Sequence, residues 1–376
     1  MAGIYIHIPF CTQACHYCDF HFTTSYRYQK EIIAAIEQET KLRKSFLSSQ
    51  KIGTIYFGGG TPGSIPLGQL QKIIESAAEI FDFENSPEIT LEINPDNVKK
   101  EWIKTLKTTS FNRFSIGIQS FFDLHLKWMN RSHSAKEAEY AVKSLQDAGF
   151  DNISIDLIYG FDLMSDEQWL SNLNTFSSLQ INHLSAYSLT VEEKTPLAKS
   201  VRLGFDTLPD SAHAANHFEM LMKWAEENDF EHYEISNLAK SKQYSKHNTA
   251  YWQGVPYLGL GPSAHSFDGE NRYYNVANNL QYIKGIDDTK PAITKETDHA
   301  HSRLNDLIYT QLRTQWGLKI SEVLPFLDTE KLHSNFQKQL HLNLEKHNIR
   351  FENETIILTN QGKLIADRVA SDFFII

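Results

Sequence analysis

The stretch from Cys11 to Phe20, CTQACHYCDF, contains every cysteine of this chain. It directly follows a strand-like segment, IYIHIPF at 4–10, and its thiols have C-x3-C-x2-C spacing. An odd number of clustered cysteines argues against a disulfide framework and favours a metal or cluster site. Four iron sites normally take four ligands, so three thiolates leave one iron open to a small molecule. The alternative is a zinc site completed by His16 or His21. The proposed ligands are Cys11, Cys15 and Cys18.

Composition limits the class of protein. The chain has 376 residues, 41% of them hydrophobic, which is enough for one large domain and a smaller one. Its formal net charge of −10 argues against a broad basic surface for nucleic acid. The N-terminus lacks the pattern of a signal peptide, and no apolar run has the length of a membrane span. We therefore expect a cytoplasmic protein with reduced thiols and no nucleic-acid partner.

Outward from the cysteines, strand-like and helix-like segments alternate, which predicts a parallel sheet covered by helices. A further helix is expected near 210–228 and a strand at 231–236. The expected strands are 4–10, 54–63, 88–96, 113–120, 152–161 and 183–190, and the expected helices are 28–47, 67–81, 99–108, 134–150 and 166–179.

The strands themselves favour a barrel over an open sheet. In RFSIGIQS, Ser115, Gly117 and Gln119 share one face, and Ile116 and Ile118 take the other. A parallel sheet covered by helices on both sides would be apolar on both faces. One polar face fits a ligand-holding lumen better. The predicted fold class is therefore α/β, a full or partial parallel (β/α) barrel.

Three regions are expected along the chain. Residues 1–235 form the barrel, 236–297 an aromatic and glycine-rich connecting region with little periodicity, and 298–376 a smaller C-terminal α+β domain. In that last region the order helix, helix, hairpin, helix resembles a winged helix. Its expected elements are helices at 298–316, 320–327 and 330–347, a hairpin at 349–359, and a final helix from 360 to about 374.

Polar groups end several of the predicted strands. Glycines after the second strand let backbone approach a ligand, and exposed N–H groups there can receive a carboxylate. Glu92 suits a pair of ribose hydroxyls, and Arg131 suits a carboxylate. The carboxyl ends of barrel strands form one rim, where active sites lie. Taken singly, each of these residues is more often structural. The set comprises Gly59, Gly60, Thr61, Glu92, Gln119, Arg131 and Asp156.

These blocks together resemble the oxygen-independent coproporphyrinogen III oxidase-like family of radical S-adenosylmethionine (SAM) proteins. The resemblance rests on IYIHIPFCTQACHYCDF, YFGGGTP, LEINPD, RFSIGIQSF, MNRSH and SIDLIYGF, within residues 4–161. It implies a partial parallel (β/α) barrel of the radical SAM type, with a [4Fe–4S] cluster on the three cysteines. The SAM contacts that it implies are Tyr5, Tyr17, Gly59, Gly60, Thr61, Glu92, Gln119, Arg131 and Asp156.

Two features place the chain within that family. The oxidase branch has a fourth cysteine where this chain has Phe20, and its N-terminal extension is absent here. The haem-chaperone branch is marked by H-N-x-x-Y-W, which here reads HNTAYW. The resemblance therefore implies haem binding and transfer to haem-accepting proteins. The residues that match are His247, Asn248, Tyr251 and Trp252, with His232, His265 and Tyr244 as alternative axial ligands.

Other hypotheses remain open at this point. A catalytically active radical SAM enzyme of porphyrin metabolism would need the same cluster and SAM site. A nucleic-acid-modifying protein, with 298–376 as the binder, is disfavoured by the acidic balance. The sequence leaves open whether SAM is cleaved, whether the chain forms a homodimer, and whether peripheral membrane proteins are partners.

Overall fold

Six parallel strands form the centre of the molecule. The computed structural model describes residues 1–47, 50–296 and 300–375. The strands pair in chain order, each parallel to the next, as the sequence predicted. They are β1 (Ala2–Ile8), β2 (Ile52–Gly59), β3 (Phe83–Ile93), β4 (Arg113–Gln119), β5 (Ile153–Tyr159) and β6 (His183–Ser188).

Helices connect these strands and cover their apolar face. Two of them begin with a capping box, Ser134 with Glu137 and Ser165 with Gln168, which satisfies the first free N–H groups of each helix. The short helix α4 was not predicted, because six residues show too little periodicity. The helices are α1 (Gln29–Leu42), α2 (Leu67–Ala78), α3 (Lys100–Leu106), α4 (Asp123–Trp128), α5 (Ala135–Asp147) and α6 (Asp166–Ser178).

The two faces of the sheet differ as the alternation predicted. Ile4, Ile6 and Ile8 of β1 are fully buried in the main hydrophobic core. On the opposite face the Tyr56 hydroxyl of β2 donates to Glu92 of β3, at 2.7 Å. Successive residues of a strand point to opposite faces of the sheet. One set therefore packs against the helices, and the other set lines the polar face.

The sheet extends beyond the six strands at both edges to twelve strands. Among the described residues β1 pairs with β2 and β9, and β6 with β5 and β8, so the parallel strands form a partial barrel. The region 236–297 supplies most of the extension. Its strands have only three or four residues each, which is why the sequence of this region shows little periodicity. These elements are α7 (Pro196–Arg202), α8 (Ser211–Glu227), β7 (Glu231–Glu234), β8 (Asn237–Ala239), α9 (Lys246–Trp252), β9 (Tyr257–Leu260), β10 (His265–Phe267), β11 (Arg272–Asn275), α10 (Asn279–Asp287) and β12 (Ile293–Lys295).

The C-terminal region has its own hydrophobic cluster, which includes Leu304, Ile308, Ile356 and Val369. Its antiparallel strands follow the order β13-β15-β14, which with the preceding helices is a winged-helix arrangement. The domain boundaries proposed at 235/236 and 297/298 stay predictions, and residues 298 and 299 of the expected helix lie outside the described residues. The elements are α11 (Ala300–Leu312), β13 (Leu318–Lys319), α12 (Ile320–Val323), α13 (Glu330–Glu345), β14 (Ile349–Glu352), β15 (Thr355–Leu358), α14 (Asn360–Lys363) and α15 (Ala366–Asp372).

One expectation for this region is wrong. The single final helix predicted from residue 360 is two short helices, α14 and α15. The backbone of Ile365 leaves the helical region, with φ −129° and ψ 34°. Gly362 also lies so close to Asn348 that a Cβ there would come within 1.8 Å of the Asn348 carbonyl oxygen. This tertiary contact, which the local sequence does not reveal, accompanies the break.

Candidate functional site

The cysteine loop follows β1 and is held against two other segments. Thr23 bridges the loop ends, since its carbonyl accepts the Cys11 N–H at 3.1 Å and its own N–H donates to Pro9 at 2.8 Å. Asn130, in the turn after α4, donates to the Ala14 carbonyl at 2.7 Å. All three cysteines are unbonded to one another and half-buried. The loop is therefore fixed in place while its thiols stay accessible.

Two predicted site residues contact the thiols directly. The Thr61 hydroxyl lies 3.6 Å from the Cys11 sulfur, and an Arg131 nitrogen lies 3.2 Å from the Cys15 sulfur. The other terminal nitrogen of Arg131 donates to the Gly117 carbonyl and to Asn94, at 2.5 and 2.7 Å. Arg131 is thus fixed beside the cluster loop, which is a different role from that of a free partner for a ligand carboxylate.

Each histidine of the zinc alternative makes one hydrogen bond through one ring nitrogen, and the other nitrogen takes no part in these bonds. His16 bonds through Nδ1 to the Trp128 carbonyl, at 2.9 Å. His21 bonds through Nε2 to Asn279, at 2.8 Å. Burial raises the pKa of the Cys11 thiol to about 11 and that of Cys18 to about 12, so both lose a proton only when a metal displaces it. The three-thiol set fits a cluster better than it fits a four-ligand zinc site.

The glycine turn after β2 allows no side chain. Gly59 has φ +104°, and a Cβ there would come within 2.5 Å of the His7 ring. A Cβ on Gly60 would come within 2.6 Å of the Phe10 carbonyl oxygen. These two positions therefore require glycine, and they place bare backbone beside the cysteine loop.

Two carboxyl groups lie on the polar face of the next strands. Glu92 accepts from Tyr56, and Asp156 accepts from the Ser115 hydroxyl at 3.1 Å. Burial raises the pKa of Glu92 to about 7, and the nearby charge of Asp156 adds to this effect. Burial likewise raises the pKa of Asp156 to about 6. Both groups sit where a ligand with hydroxyl or amino hydrogens would find acceptors.

The remaining predicted SAM residues occupy three different positions. Gln119 ends β4 with φ +68°, a left-handed conformation that turns the chain at the rim. Tyr5 lies deeper, with its hydroxyl 3.2 Å from His7 Nδ1. Tyr17 packs on the main hydrophobic core beside Cys15. Gln119 therefore lies at the rim and Tyr17 beside the cysteine loop, whereas Tyr5 lies on the polar face with its ring 6.5 Å from that of His247.

Sequence reasoning missed two residues that organise this rim. Tyr56 donates to Glu92, and Asn94 bonds both Thr61 and Arg131, at 3.3 and 2.7 Å. A signal was available, because Asn94 lies two residues after Glu92 and therefore on the same strand face. Tyr56 likewise lies two residues from Gly58 and therefore on the same face of its strand.

The HNTAYW segment forms α9 at the opposite end of the strands. His247 bonds through Nδ1 to the Thr54 hydroxyl, at 2.8 Å, and its ring lies 5.2 Å from that of Tyr56. Thr54 and Gly59 are five residues apart on β2, which is about 16 Å along a parallel strand. Burial, with Arg113 nearby, lowers the pKa of His247 to about 3, so the imidazole is neutral.

The other predicted haem residues do not surround that ring. Tyr251 and Trp252 pack edge to face at 5.2 Å, and Trp252 lies under the Arg313 guanidinium. Asn248 lies in the first turn, where its N–H donates to Ser245. Among the described residues, the alternative ligands have other partners: His232 bonds Ile235, Tyr244 bonds Glu231, and His265 lies against Tyr274.

A buried polar network lies at the same end of the lumen. His183 bonds Ser154 at 2.6 Å and the Tyr233 hydroxyl at 2.7 Å. Arg113, only 2% exposed, pairs with Glu88 at 4.0 Å. His183 and Glu88 are thus paired within the protein, whereas the Arg113 Nε atom has no hydrogen-bond partner among the described residues. A cavity of about 610 Å³ lies at this end, with Thr54, Glu88 and Lys246 in its lining. Within the described residues, no helix is long and apolar enough to cross a membrane.

Comparison with known proteins agrees with this geometry. The Radical SAM superfamily model matches residues 5–175. The heme chaperone HemW of Lactococcus lactis is 34% identical over 318 residues, which is 85% of this chain and 83% of that protein. The chain belongs to the HemW family. The HemW of Bacillus subtilis is 33% identical over 99% of both chains.

A solved structure confirms the fold. Coproporphyrinogen III oxidase (HemN) from Escherichia coli superposes with a TM-score of 0.85 at 20% identity, over 99% of this chain and 90% of that one. Membership of the radical SAM superfamily implies a [4Fe–4S] cluster and SAM. The family and fold class expected from the sequence are therefore confirmed. The individual ligand residues stay predictions, now with a geometry that fits three thiolates and a bare glycine turn.

Proposed function

We propose that this protein is a haem chaperone that holds a [4Fe–4S] cluster and SAM at the carboxyl rim of its strands and delivers haem to acceptor proteins. The family relationship to HemW proteins supports the chaperone role. The accessible thiol loop beside Gly59 and Gly60 supports the cofactor site. A bound cluster supplies one-electron chemistry, and the protein provides orientation and seclusion.

At that rim each residue has a separate task. The three cysteines hold the cluster, and Arg131 and Thr61 neutralise or hydrogen-bond two of the sulfurs. Glu92 accepts hydrogen bonds from ribose hydroxyls once it is ionised. The amino-acid part of SAM is assigned to the side of the Gly59–Gly60 turn, where the backbone beside the cysteine loop has no side chains.

His247 is the proposed haem ligand, and its hydrogen bond is the observation that supports this role. Ligation of iron through Nε2 needs a neutral ring whose Nδ1–H is held by an acceptor. Thr54 is in position to accept that hydrogen, at 2.8 Å, and the lowered pKa keeps the ring neutral. Tyr56 and Tyr5 add aromatic surface beside it.

Haem titration of the purified protein tests this proposal. Wild type should shift the Soret band at a stoichiometric end point, and His247→Ala should weaken binding by at least about tenfold, the usual effect of losing a strong ligand. His265→Ala is a matched control, because it removes a half-buried histidine close in sequence but outside α9. An equal loss in both variants, or no shift in wild type, would refute His247 as the ligand.

A catalytic function is the second candidate, because it would use the same proposed cluster and SAM site. At the oxidase branch's fourth-cysteine position, Phe20 is 68% exposed. Anaerobic incubation with coproporphyrinogen III, SAM and a reductant separates the two functions. We expect no protoporphyrinogen IX, and its formation would replace the chaperone proposal with an oxidase.

A further inference from the structure

Three neighbouring strands present one cross-strand row of residues to the start of α9. Gly3 of β1 is paired in register with Thr54 of β2, and Thr54 is paired in register with Glu88 of β3. Residues that are paired across neighbouring strands point to the same face of a sheet. The three residues therefore lie side by side on one face, and each of them meets His247.

Glu88 holds the backbone of α9 at its first two residues. Its Oε1 atom accepts the N–H groups of Lys246 and His247, at 2.9 and 3.3 Å. The first N–H groups of a helix have no partner within that helix, and a carboxylate satisfies them and meets the positive end of the helix dipole. Glu88 is only 5% exposed, and its Oε2 atom faces Arg113 Nε at 4.0 Å. The carboxylate is therefore oriented through both of its oxygens.

The other two residues of the row fix the side chain of His247. The Thr54 hydroxyl bonds Nδ1 of the ring, at 2.8 Å. A Cβ on Gly3 would lie 3.1 Å from the Cε1 atom of that ring and 2.9 Å from Thr54 Oγ1, so the imidazole occupies space that a side chain would fill. Backbone and ring are thus held at separate points, which sets the direction of Nε2.

We propose that Glu88 is a positioning residue for haem binding, which together with Gly3 holds His247 in the orientation that ligation needs. This inference rests on the proposed role of His247 as the haem ligand. A side chain whose conformation is already fixed loses less entropy when it binds, so affinity rises without any further contact to haem. Glu88 acts through His247 and does not need to touch the ligand.

A double-mutant cycle in the full chain tests this role, with haem titration followed by the Soret band. Glu88→Ala should weaken haem binding at least about fivefold in wild type but less than about twofold in His247→Ala, where the positioned ring is gone. Glu39→Ala is the matched control, because it removes a buried carboxylate that pairs with Arg43 and accepts the Gly261 N–H at 2.9 Å. It should lower stability and leave the haem affinity of the folded protein unchanged.

Two outcomes of this cycle separate the inference from the function on which it rests. An equal loss from Glu88→Ala in both backgrounds would overturn the positioning role and leave His247 as the ligand. Unweakened binding in His247→Ala alone would refute the ligand itself.

Gly3→Ala supplies an independent test in case Glu88→Ala does not fold. Gly3 has no positive φ, so alanine adds no backbone strain, and only the His247 ring and the Thr54 hydroxyl have to move. Haem binding should weaken at least about threefold when His247 is present and stay unchanged in His247→Ala. Gly68→Ala, whose Cβ would meet nothing within 4 Å, is the control. Wild-type affinity in Gly3→Ala would overturn the proposal.

Discussion

The two ends of the parallel strands share one polar face but differ in how their side chains are satisfied. At the carboxyl end, free thiols, glycine backbone and two carboxyl groups are half-exposed. At the amino end, His183 and Glu88 are buried and paired within the protein. The comparison therefore assigns the proposed cofactor site to the carboxyl rim, as is usual in parallel barrels, and a buried polar network with the proposed haem ligand His247 beside it to the amino rim.

Removing one thiol should have the largest effect, because it should abolish cluster binding at the carboxyl rim. Cys15→Ala leaves two protein ligands, so anaerobic reconstitution should lose nearly all cluster iron and sulfide, roughly tenfold or more below wild type. His16→Ala, one residue away, should retain the cluster because that ring bonds the Trp128 carbonyl. Iron and sulfide analysis measures both. Cluster loss in His16→Ala, with zinc retained in wild type, would favour the zinc alternative.

Adding a side chain in the glycine turn after β2 should have the next largest effect. Gly59→Ala places a Cβ 2.5 Å from His7 at φ +104°, which should cost roughly 2–4 kcal/mol in the free energy of unfolding. It should also weaken SAM binding. Gly68→Ala is the control, since a Cβ there meets nothing within 4 Å and the position lies in α2. Denaturant unfolding and equilibrium binding of SAM would show whether the two glycines differ.

The amino rim should respond in stability without a loss of cofactor. His183→Ala removes the partner of the Tyr233 and Ser154 hydroxyls, which should cost about 2–3 kcal/mol in unfolding free energy. Cluster iron per folded chain should remain at the wild-type level. A parallel fall in cluster content would mean that the amino rim also affects cofactor binding, so the two rims would not act independently.

Glu92 should have its effect on the pH dependence of stability. Its folded pKa of about 7 exceeds the ordinary 4.5, so between these values the unfolded chain releases a proton that the folded chain keeps. The contribution of Glu92 to unfolding free energy is therefore fully present below pH 4.5 and declines as pH rises to 7, by at most roughly 3 kcal/mol.

Urea unfolding at pH 5 and pH 8 isolates this contribution. His247 and other buried histidines act in the opposite sense, so only the difference between wild type and Glu92→Gln reports the carboxyl group. We expect the variant to lose less stability, or gain more, between the two pH values. Identical pH dependence in both proteins would mean that Glu92 is not held protonated by burial.

Local sequence determined the repeating architecture and the identity of the cofactor loop. Period-two alternation in RFSIGIQS and the spacing of the three cysteines act over a few residues, so they are readable from the chain. Membership of the haem-chaperone branch was likewise visible in HNTAYW and Phe20, through resemblance and not through physics.

Only the tertiary structure decided where those residues meet. Arg131 contacts Cys15 across 116 positions of sequence, and His247 contacts Thr54 across 193. Long-range packing sets these distances, and no local periodicity encodes them. The sequence therefore determined which chemistry the chain can do, and the fold decided at which end of the sheet it can do it.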